Sequence, residues 1–178
     1  MLPAFTMESM LKTIVEYQIC DLLLVPPLII RFVRDPIVDH FDLSHVRRFS
    51  SGAAPLSAEI TQLLQRKFPQ TGFKQGYGMT ESCGMCAILP PEMMRYESVG
   101  LPVPSIEIKL LDVVDAGYLA TNTPPQGEVC IRGPSVLSGY YKRPDLNADE
   151  NIFTKDGWLR TGDIGQWNSD GTLSLIDR

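Results

Sequence analysis

Apolar residues in the first half of the chain follow two alternating patterns. After Thr6, the segment Met7–Val15 carries apolar residues at spacings of three and four, as on one face of a helix. The continuous apolar run Leu22–Val25 comes next and favours a strand buried on both faces, ended by a pair of prolines. A second helix is predicted over Leu28–Arg34, because a further proline follows closely.

The same alternation continues to the middle of the chain. A strand is predicted at Val46–Phe49, a helix after Ser57, and a third strand at Phe73–Gln75. Strand, helix and strand in this order predict a parallel α/β sheet. Ligands of such sheets bind at the carboxyl ends of the strands. The glycine-containing segments Gly52–Pro55 and Gly76–Glu81, predicted as loops after two strands, are therefore the first candidates for a binding site.

From about residue 98 onward the chain carries strand patterns and a different composition. All seven methionines lie before this point and both tryptophans lie after it. Apolar residues alternate over Ile106–Leu110, as on a half-buried strand. Ile164–Trp167 and Leu173–Ile176 flank a polar turn, which predicts a hairpin. The predicted fold is α/β, with a partial parallel α/β part over residues 1–97 and a small antiparallel, barrel-like part over residues 98–178.

The overall composition describes an ordinary globular protein and excludes several classes. The 178 residues are 44% hydrophobic and 21% charged, a composition that argues against a disordered chain. The formal net charge of −5 argues against nucleic acid as a partner. The most apolar stretch, Ile19–Ile30, contains Asp21 and is too short for a transmembrane segment. Cys83 and Cys86 form an isolated C-x-x-C pair, which leaves a redox or metal role open beside that of reduced thiols.

The segment Gly76–Glu81 combines residue types that suit a nucleotide. Its glycines allow close approach of a ligand, Tyr77 offers a flat face for a base, and Thr80 offers a hydroxyl for phosphate. Glu81 supplies the carboxylate oxygens that Mg²⁺ prefers. A turn followed by a capping threonine is the structural alternative for the same residues.

Two charged residues near the carboxyl end are the second and the third candidates for a binding site. Asp163, predicted in a loop just before a strand, could accept hydrogen bonds from the two ribose hydroxyls of a nucleotide. Arg178 could donate its guanidinium fork to ribose or phosphate. The structural alternatives are a turn aspartate and a surface ion pair.

Several motifs in one fixed order are more specific than any of them alone. They are Ser51–Leu56, Gln75–Glu81, Gly127–Gly133, Gly139–Tyr141, Gly157–Asp163 and Ile176–Arg178. In these motifs the chain resembles the adenylate-forming (AMP-binding) superfamily of acyl-CoA ligases, adenylation domains and luciferases. The resemblance implies that both parts of the chain belong to the large AMP-binding domain of that superfamily, with the hinge to a smaller domain after Arg178.

The resemblance also implies a role for each matched residue. The catalytic residues would be Thr80, which holds phosphate, and Glu81, which ligates Mg²⁺. The implied nucleotide-binding residues are Ala54, Gln75, Gly76, Tyr77, Gly78, Thr80, Asp163 and Arg178. The residues implied to border the carboxylic acid are Ala53, Gln75 and Gly76.

The activity implied by the resemblance is ligation of a carboxylic acid to CoA in two steps, with ATP, Mg²⁺ and CoA. The acid would be a fatty acid or an aryl acid, because the residues up to about Glu81 resemble 4-coumarate-type ligases and those from about Val99 onward resemble long-chain fatty acyl-CoA synthetases. An adenylation domain that loads a carrier protein and an inactive nucleotide-binding module are the alternatives. An intracellular location, cytoplasmic or peroxisomal with peripheral membrane association left open, is implied as well.

The same comparison implies that the chain is a fragment. The phosphate loop and the lysine-bearing small domain of the superfamily have no counterpart among the 178 residues. We therefore expect the isolated chain to form little or no adenylate. The resemblance does not imply an oligomeric state.

Overall fold

The computed structural model describes residues 5–52, 54, 56–90 and 98–178. The chain forms two compact units, one up to Gln75 and one from Gly76 to Arg178. The division lies inside a strand and not near residue 98, where the composition changes. No helix among the described residues is long and apolar enough to span a bilayer.

The first unit alternates helices and parallel strands. Its elements are α1 (Met7–Glu16), β1 (Asp21–Leu24), α2 (Pro26–Arg34), β2 (Arg48–Ser51), α3 (Ala58–Lys67) and the first half of β3 (Gly72–Met79), with a 3₁₀ turn at Pro36–His40. β2 pairs in parallel with β1 on one side and β3 on the other. The parallel α/β prediction is thus confirmed.

Local capping explains where the helices begin. The Thr6 hydroxyl accepts from the Ser9 amide at 3.0 Å and Ser9 bonds back to the Thr6 amide, which forms a capping box. Ser57 caps α3 in the same manner through the Ile60 amide. Helix α2 begins two residues before the predicted start, at Pro26, because proline fits the first helical turn.

Strand β1 corrects one prediction, because it is not buried on both faces. Leu22 and Leu24 are each 5% exposed, whereas Leu23 between them is 71% exposed. Leu22 and Leu24 stand beside Phe49 and Ser51 of β2 and share their buried face of the sheet, whereas Leu23 points to the opposite face. A run of apolar residues therefore did not show whether one face or both faces of the strand are covered.

Three phenylalanine rings form the centre of the first unit. Phe32 of α2 meets Phe49 of β2 edge-on, with ring centroids 5.4 Å apart. Phe68, at the end of α3, lies 5.1 Å from Phe49 and 6.4 Å from Phe32. Helices α2 and α3 are thereby held against the same face of the sheet, where aromatic pairs add to the gain from burial.

The second unit is built from antiparallel strands. The second half of β3 pairs with β4 (Gly84–Ile88), which pairs with β5 (Leu101–Pro102). A separate sheet has the order β6 (Glu107–Leu111), β7 (Gln126–Arg132), β8 (Leu159–Trp167) and β9 (Leu173–Asp177). Between β7 and β8 lies the short helix α4 (Pro144–Asn147), and 3₁₀ turns occupy Thr80–Ser82 and Val114–Ala116.

The antiparallel sheet of the second unit is open. Its outer strands β6 and β9 do not pair with each other among the described residues, so the predicted barrel-like part is not a closed barrel. The predicted hairpin is confirmed as β8 and β9. Fully buried Val129, Ile131, Leu159 and Leu173 form the centre of this unit.

Trp158, just before β8, is packed under two cations. The Lys109 ammonium lies 4.6 Å and the Arg132 guanidinium 4.4 Å from the ring centroid. The tryptophan itself is only 8% exposed. The two cations shield the ring from water and interact favourably with its π system.

Replacing Phe32 by alanine should strongly destabilise the first unit. Phe32 is fully buried, so the Phe32→Ala variant leaves a cavity among Phe49 and Phe68 and should lose about 3–5 kcal/mol of unfolding free energy. Urea titration followed by far-UV circular dichroism measures this loss. Phe5→Ala is the matched control, because Phe5 is 55% exposed, and it should change the unfolding free energy by no more than about 0.5 kcal/mol. Equal losses in the two variants would contradict the assignment of this core.

Candidate functional site

The segment predicted as a loop at Gly76–Glu81 is mostly strand. β3 continues to Met79, and only then does the 3₁₀ turn Thr80–Ser82 begin. The glycines allow this, because β4 lies very close: a Cβ at Gly78 would lie 2.1 Å from the Gly84 carbonyl oxygen. Glycine here indicates close packing of two strands and not a loop.

The 3₁₀ turn after β3 is fixed by Ser82. The Ser82 hydroxyl oxygen accepts from the Met79 amide at 3.1 Å and donates to the Gly84 carbonyl at 2.6 Å. Thr80 is exposed at the start of this turn, and Glu81, next to it, is half-buried. Thr80 and Glu81, which carry a hydroxyl and a carboxylate, are thus consecutive residues at the end of β3.

Tyr77 and Asp163 are joined by a hydrogen bond across 86 positions of the chain. The Tyr77 hydroxyl donates to Asp163 Oδ2 at 2.8 Å. The tyrosine is 7% exposed, and burial, together with the nearby Asp163 charge, raises the pKa of its hydroxyl far above the usual value. Tyr77 therefore stays protonated and acts as a donor to the carboxylate.

Asp163 lies within β8 and not in a loop before a strand, which corrects the prediction for this residue. Three β8 residues, Thr161–Asp163, stand opposite Val129 alone, so the strand bulges there. The Thr161 hydroxyl oxygen accepts from the Asp163 amide at 3.2 Å and donates to the Val129 carbonyl at 2.8 Å. The bulge thus turns the Asp163 side chain to a defined position.

Arg178 meets Asp163 because of the pairing of β8 with β9. Ile164 stands opposite Asp177, so the next residue on each strand is Asp163 and Arg178. Arg178 Nε lies 3.4 Å from Asp163 Oδ1, and the arginine side chain is 85% exposed. Each oxygen of the Asp163 carboxylate thus has one partner, Arg178 on one side and Tyr77 on the other.

Glu81 is held by a residue to which the sequence analysis assigned no role. The Tyr140 hydroxyl donates to Glu81 Oε1 at 3.0 Å, and the Leu137 amide donates to the Glu81 carbonyl at 2.7 Å. Burial and the bond to Glu81 raise the pKa of the Tyr140 hydroxyl. The motif Gly139–Tyr141 contains this tyrosine, so the signal was present, but the distant contact was not readable from it.

The remaining predicted residues lie around the end of the first unit. Ala54 is exposed after β2, and Ala53 lies outside the described residues. Gln75 is 6% exposed, and its side-chain oxygen has no hydrogen-bond partner among the described residues. Gln75 stands opposite Ser51, whose buried hydroxyl likewise has no partner within the described part of the chain. Gly76 follows as the first residue of the second unit.

The cysteines and acidic residues do not assemble a metal cluster among the described residues. Cys83 is exposed and Cys86 is buried, and both are free thiols. Burial raises the pKa of the Cys86 thiol, so this residue stays protonated.

Comparison with known proteins identifies the family. Residues 1–141 match the family described as "AMP-binding enzyme". The chain belongs to this family.

Curated relatives in the family cover almost the whole chain. The chain is 37% identical over 174 residues to luciferin 4-monooxygenase of Photinus pyralis, which covers 98% of the chain and 31% of the relative. It is 38% identical over 178 residues to probable 4-coumarate–CoA ligase 1 of Dictyostelium discoideum, covering 99% of the chain and 32% of the relative. Long chain acyl-CoA synthetase 3 of Arabidopsis thaliana is 47% identical over 135 residues, which are 75% of the chain and 20% of the relative. The chain thus spans about a third of the length of the first two relatives.

Solved structures of family members share the fold. A long-chain-fatty-acid–CoA ligase from Archaeoglobus fulgidus matches with a TM-score of 0.82 and 28% identity, over 98% of this chain and 37% of that one. The luciferase-like enzyme of the Zophobas morio mealworm matches with a TM-score of 0.80 and 27% identity, over 99% of this chain and 42% of that one. The α/β fold of an acyl-CoA synthetase is thereby confirmed for this member of the AMP-binding enzyme family.

A methyl group at Gly78 should disrupt the end of β3. The Gly78→Ala variant would place its Cβ against the Gly84 backbone, which cannot move without separating β3 from β4. We therefore expect the unfolding free energy to fall by at least about 1–3 kcal/mol. Gly72→Ala is the matched control on the same strand, because its Cβ would lie 3.9 Å from the Arg47 carbonyl oxygen, an ordinary contact. Chemical unfolding of both variants provides the measurement, and similar free energies in the two would contradict the close approach of β3 and β4.

Proposed function

We propose that the chain forms the nucleotide-binding part of an ATP-dependent carboxylic acid–CoA ligase. The observation that supports it best is the meeting of Tyr77 with Asp163, 86 positions away, and of Asp163 with Arg178 on the neighbouring strand. In the proposed reaction a carboxylate oxygen attacks the α-phosphorus of ATP, and pyrophosphate leaves. The CoA thiol then attacks the acyl carbon, loses its proton, and releases AMP.

Asp163 is the proposed acceptor for the ribose. A carboxylate with two oxygens can accept from two vicinal hydroxyls, and both oxygens already face donors in this structure. The Arg178 contact is long and exposed, so it gives way to a ribose hydroxyl at little cost. The short hydrogen bond from the buried Tyr77 keeps the Asp163 carboxylate oriented while the ribose replaces Arg178.

Thr80 and Glu81 are the proposed residues for phosphate and Mg²⁺. The donor set fits the ion, because Mg²⁺ in nucleotide sites takes one or two carboxylates and completes its ligands from phosphate oxygens and water. When bound there, Mg²⁺ would neutralise charge on the phosphates. Tyr140 would hold Glu81 in place through its hydroxyl.

The carboxylic acid is proposed to border Ala53, Gln75 and Gly76. The buried side-chain oxygen of Gln75 has no partner in the part of the chain that the structure describes, and this supports a polar ligand at this end of β3, since such an atom is costly without a partner. The relatives include one named probable 4-coumarate–CoA ligase and one named long chain acyl-CoA synthetase, which supports a fatty or aryl carboxylic acid as the substrate class.

Removing the negative charge of Asp163 should weaken nucleotide binding. In Asp163→Asn one of the two carboxylate acceptors becomes an amide donor, so the affinity for AMP should fall by about 10- to 100-fold. Calorimetric titration of the 178-residue chain with AMP measures this, with Asp145→Asn as control. Asp145 is an exposed aspartate paired with Arg143, and its variant should bind AMP like the unaltered chain. Unchanged binding in Asp163→Asn would contradict the proposal.

Loss of the Tyr140 hydroxyl should affect the metal-dependent part of binding only. Tyr140→Phe frees Glu81 Oε1, so binding of ATP in the presence of Mg²⁺ should weaken by about three- to tenfold, whereas binding of AMP in EDTA should not change. Tyr141→Phe is the neighbouring control, because Tyr141 is 86% exposed. An equal effect with and without Mg²⁺ would argue against a metal ligand at Glu81.

A further inference from the structure

Glu128 is a buried carboxylate at the bulge of β8. Its side chain is 8% exposed, and its Oε2 accepts from Arg160 Nε at 2.8 Å and also from Arg160 Nη2. Its Oε1 accepts from the backbone amide of Gly162 at 3.1 Å. A charge in this position is retained at a cost in desolvation, which the fork of Arg160 and the amide together offset.

The location of Glu128 follows from the register of the two strands. Glu128 of β7 pairs with Ile164 before the bulge, and Cys130 pairs with Arg160 after it. The bulge interrupts the regular ladder of backbone bonds, and the Glu128 side chain supplies an acceptor for Gly162 there. Gly162 has a φ of 75°, in the left-handed region that favours glycine.

Arg160 extends this support beyond the two strands. Its backbone amide donates to the Ile152 carbonyl at 2.8 Å, and its Nη1 lies 3.4 Å from the Glu150 carbonyl oxygen. The bond from Glu128 keeps Arg160 charged by raising the pKa of its guanidinium still further. The ion pair therefore ties the bulge to the segment that precedes β8.

We propose that Glu128 is a positioning residue for ribose recognition, acting through the Thr161–Asp163 bulge on the Asp163 carboxylate. This inference rests on the proposed function, because it assumes that Asp163 binds the ribose hydroxyls. Glu128 holds the residue before Asp163 through the Gly162 amide, and Thr161 holds the Asp163 amide itself. These two contacts restrain the backbone at Asp163, and the hydrogen bond from Tyr77 then orients the Asp163 side chain.

The Glu128→Gln variant removes the negative charge of this side chain and keeps its size. In Glu128→Gln one oxygen remains to accept from Gly162, but an amide nitrogen faces the Arg160 donors and the ion pair is lost. Arg160→Lys is the second variant, because it keeps the positive charge and loses the fork that binds Oε2. Glu107→Gln is the matched control: Glu107 forms an ion pair with Arg132 in the same sheet, and its side chain is 60% exposed.

The test compares AMP with 2′,3′-dideoxy-AMP, which lacks both ribose hydroxyls. Calorimetric titrations of the 178-residue chain should show that the unaltered protein and Glu107→Gln prefer AMP by about tenfold or more. Glu128→Gln and Arg160→Lys should reduce this preference to about twofold or less while dideoxy-AMP binds with unchanged affinity. If Glu128 and Arg160 had a merely structural role, their variants would lose affinity for AMP and for dideoxy-AMP by the same factor.

A second readout does not depend on the ligand. Hydrogen exchange of the Gly162 amide, followed by NMR, should accelerate at least tenfold in Arg160→Lys and Glu128→Gln and not in Glu107→Gln. If the unaltered chain does not distinguish the two nucleotides, the proposed ribose role of Asp163 fails and the inference fails with it. If the unaltered chain does distinguish them and a folded Glu128→Gln or Arg160→Lys variant retains the full preference, only the inference is overturned.

Discussion

The hydrogen bond between Tyr77 and Asp163 is the contact on which the site in the second unit depends. It joins β3, which pairs with β4, to β8 of the separate sheet, so residues 86 positions apart meet at one point. Burial keeps the tyrosine protonated, which fixes the direction of the bond. Arg178 contacts the other oxygen of the same carboxylate, while Thr161 bonds to the Asp163 amide and Glu128 to the amide of Gly162. Ribose recognition would then be a property of the two sheets together and not of one motif.

Local signals were sufficient for most of the fold. Thr6 and Ser57 mark the starts of α1 and α3 because capping depends on residues only three positions away. The same reasoning failed at Leu23, since distant segments decide whether its face of the sheet is covered, and the apolar run does not. It failed again at Gly76–Met79, because a glycine required by a close strand looks the same in sequence as a glycine in a loop.

The candidate site was predictable only in part, for the same physical reason. Asp163 and Arg178 were singled out together, and the register of β8 with β9 brings them into contact. The roles of Tyr140 and Glu128 could not be read from the sequence, because each depends on a contact between distant segments. A bulge depends on a shift of register between two strands, and no residue of either strand encodes that shift alone.

The placement of the tryptophans separates the two units optically. Trp158 lies under its two cations and Trp167 ends β8, so both fluorophores report on the second unit. Helices α1, α2 and α3 all belong to the first unit, and among the described residues the second unit has only the four-residue α-helix α4. Tryptophan emission and the helical signal at 222 nm therefore follow different halves of the molecule. If the two curves coincide on unfolding, the halves melt as one cooperative body, and if they part, each half has a stability of its own.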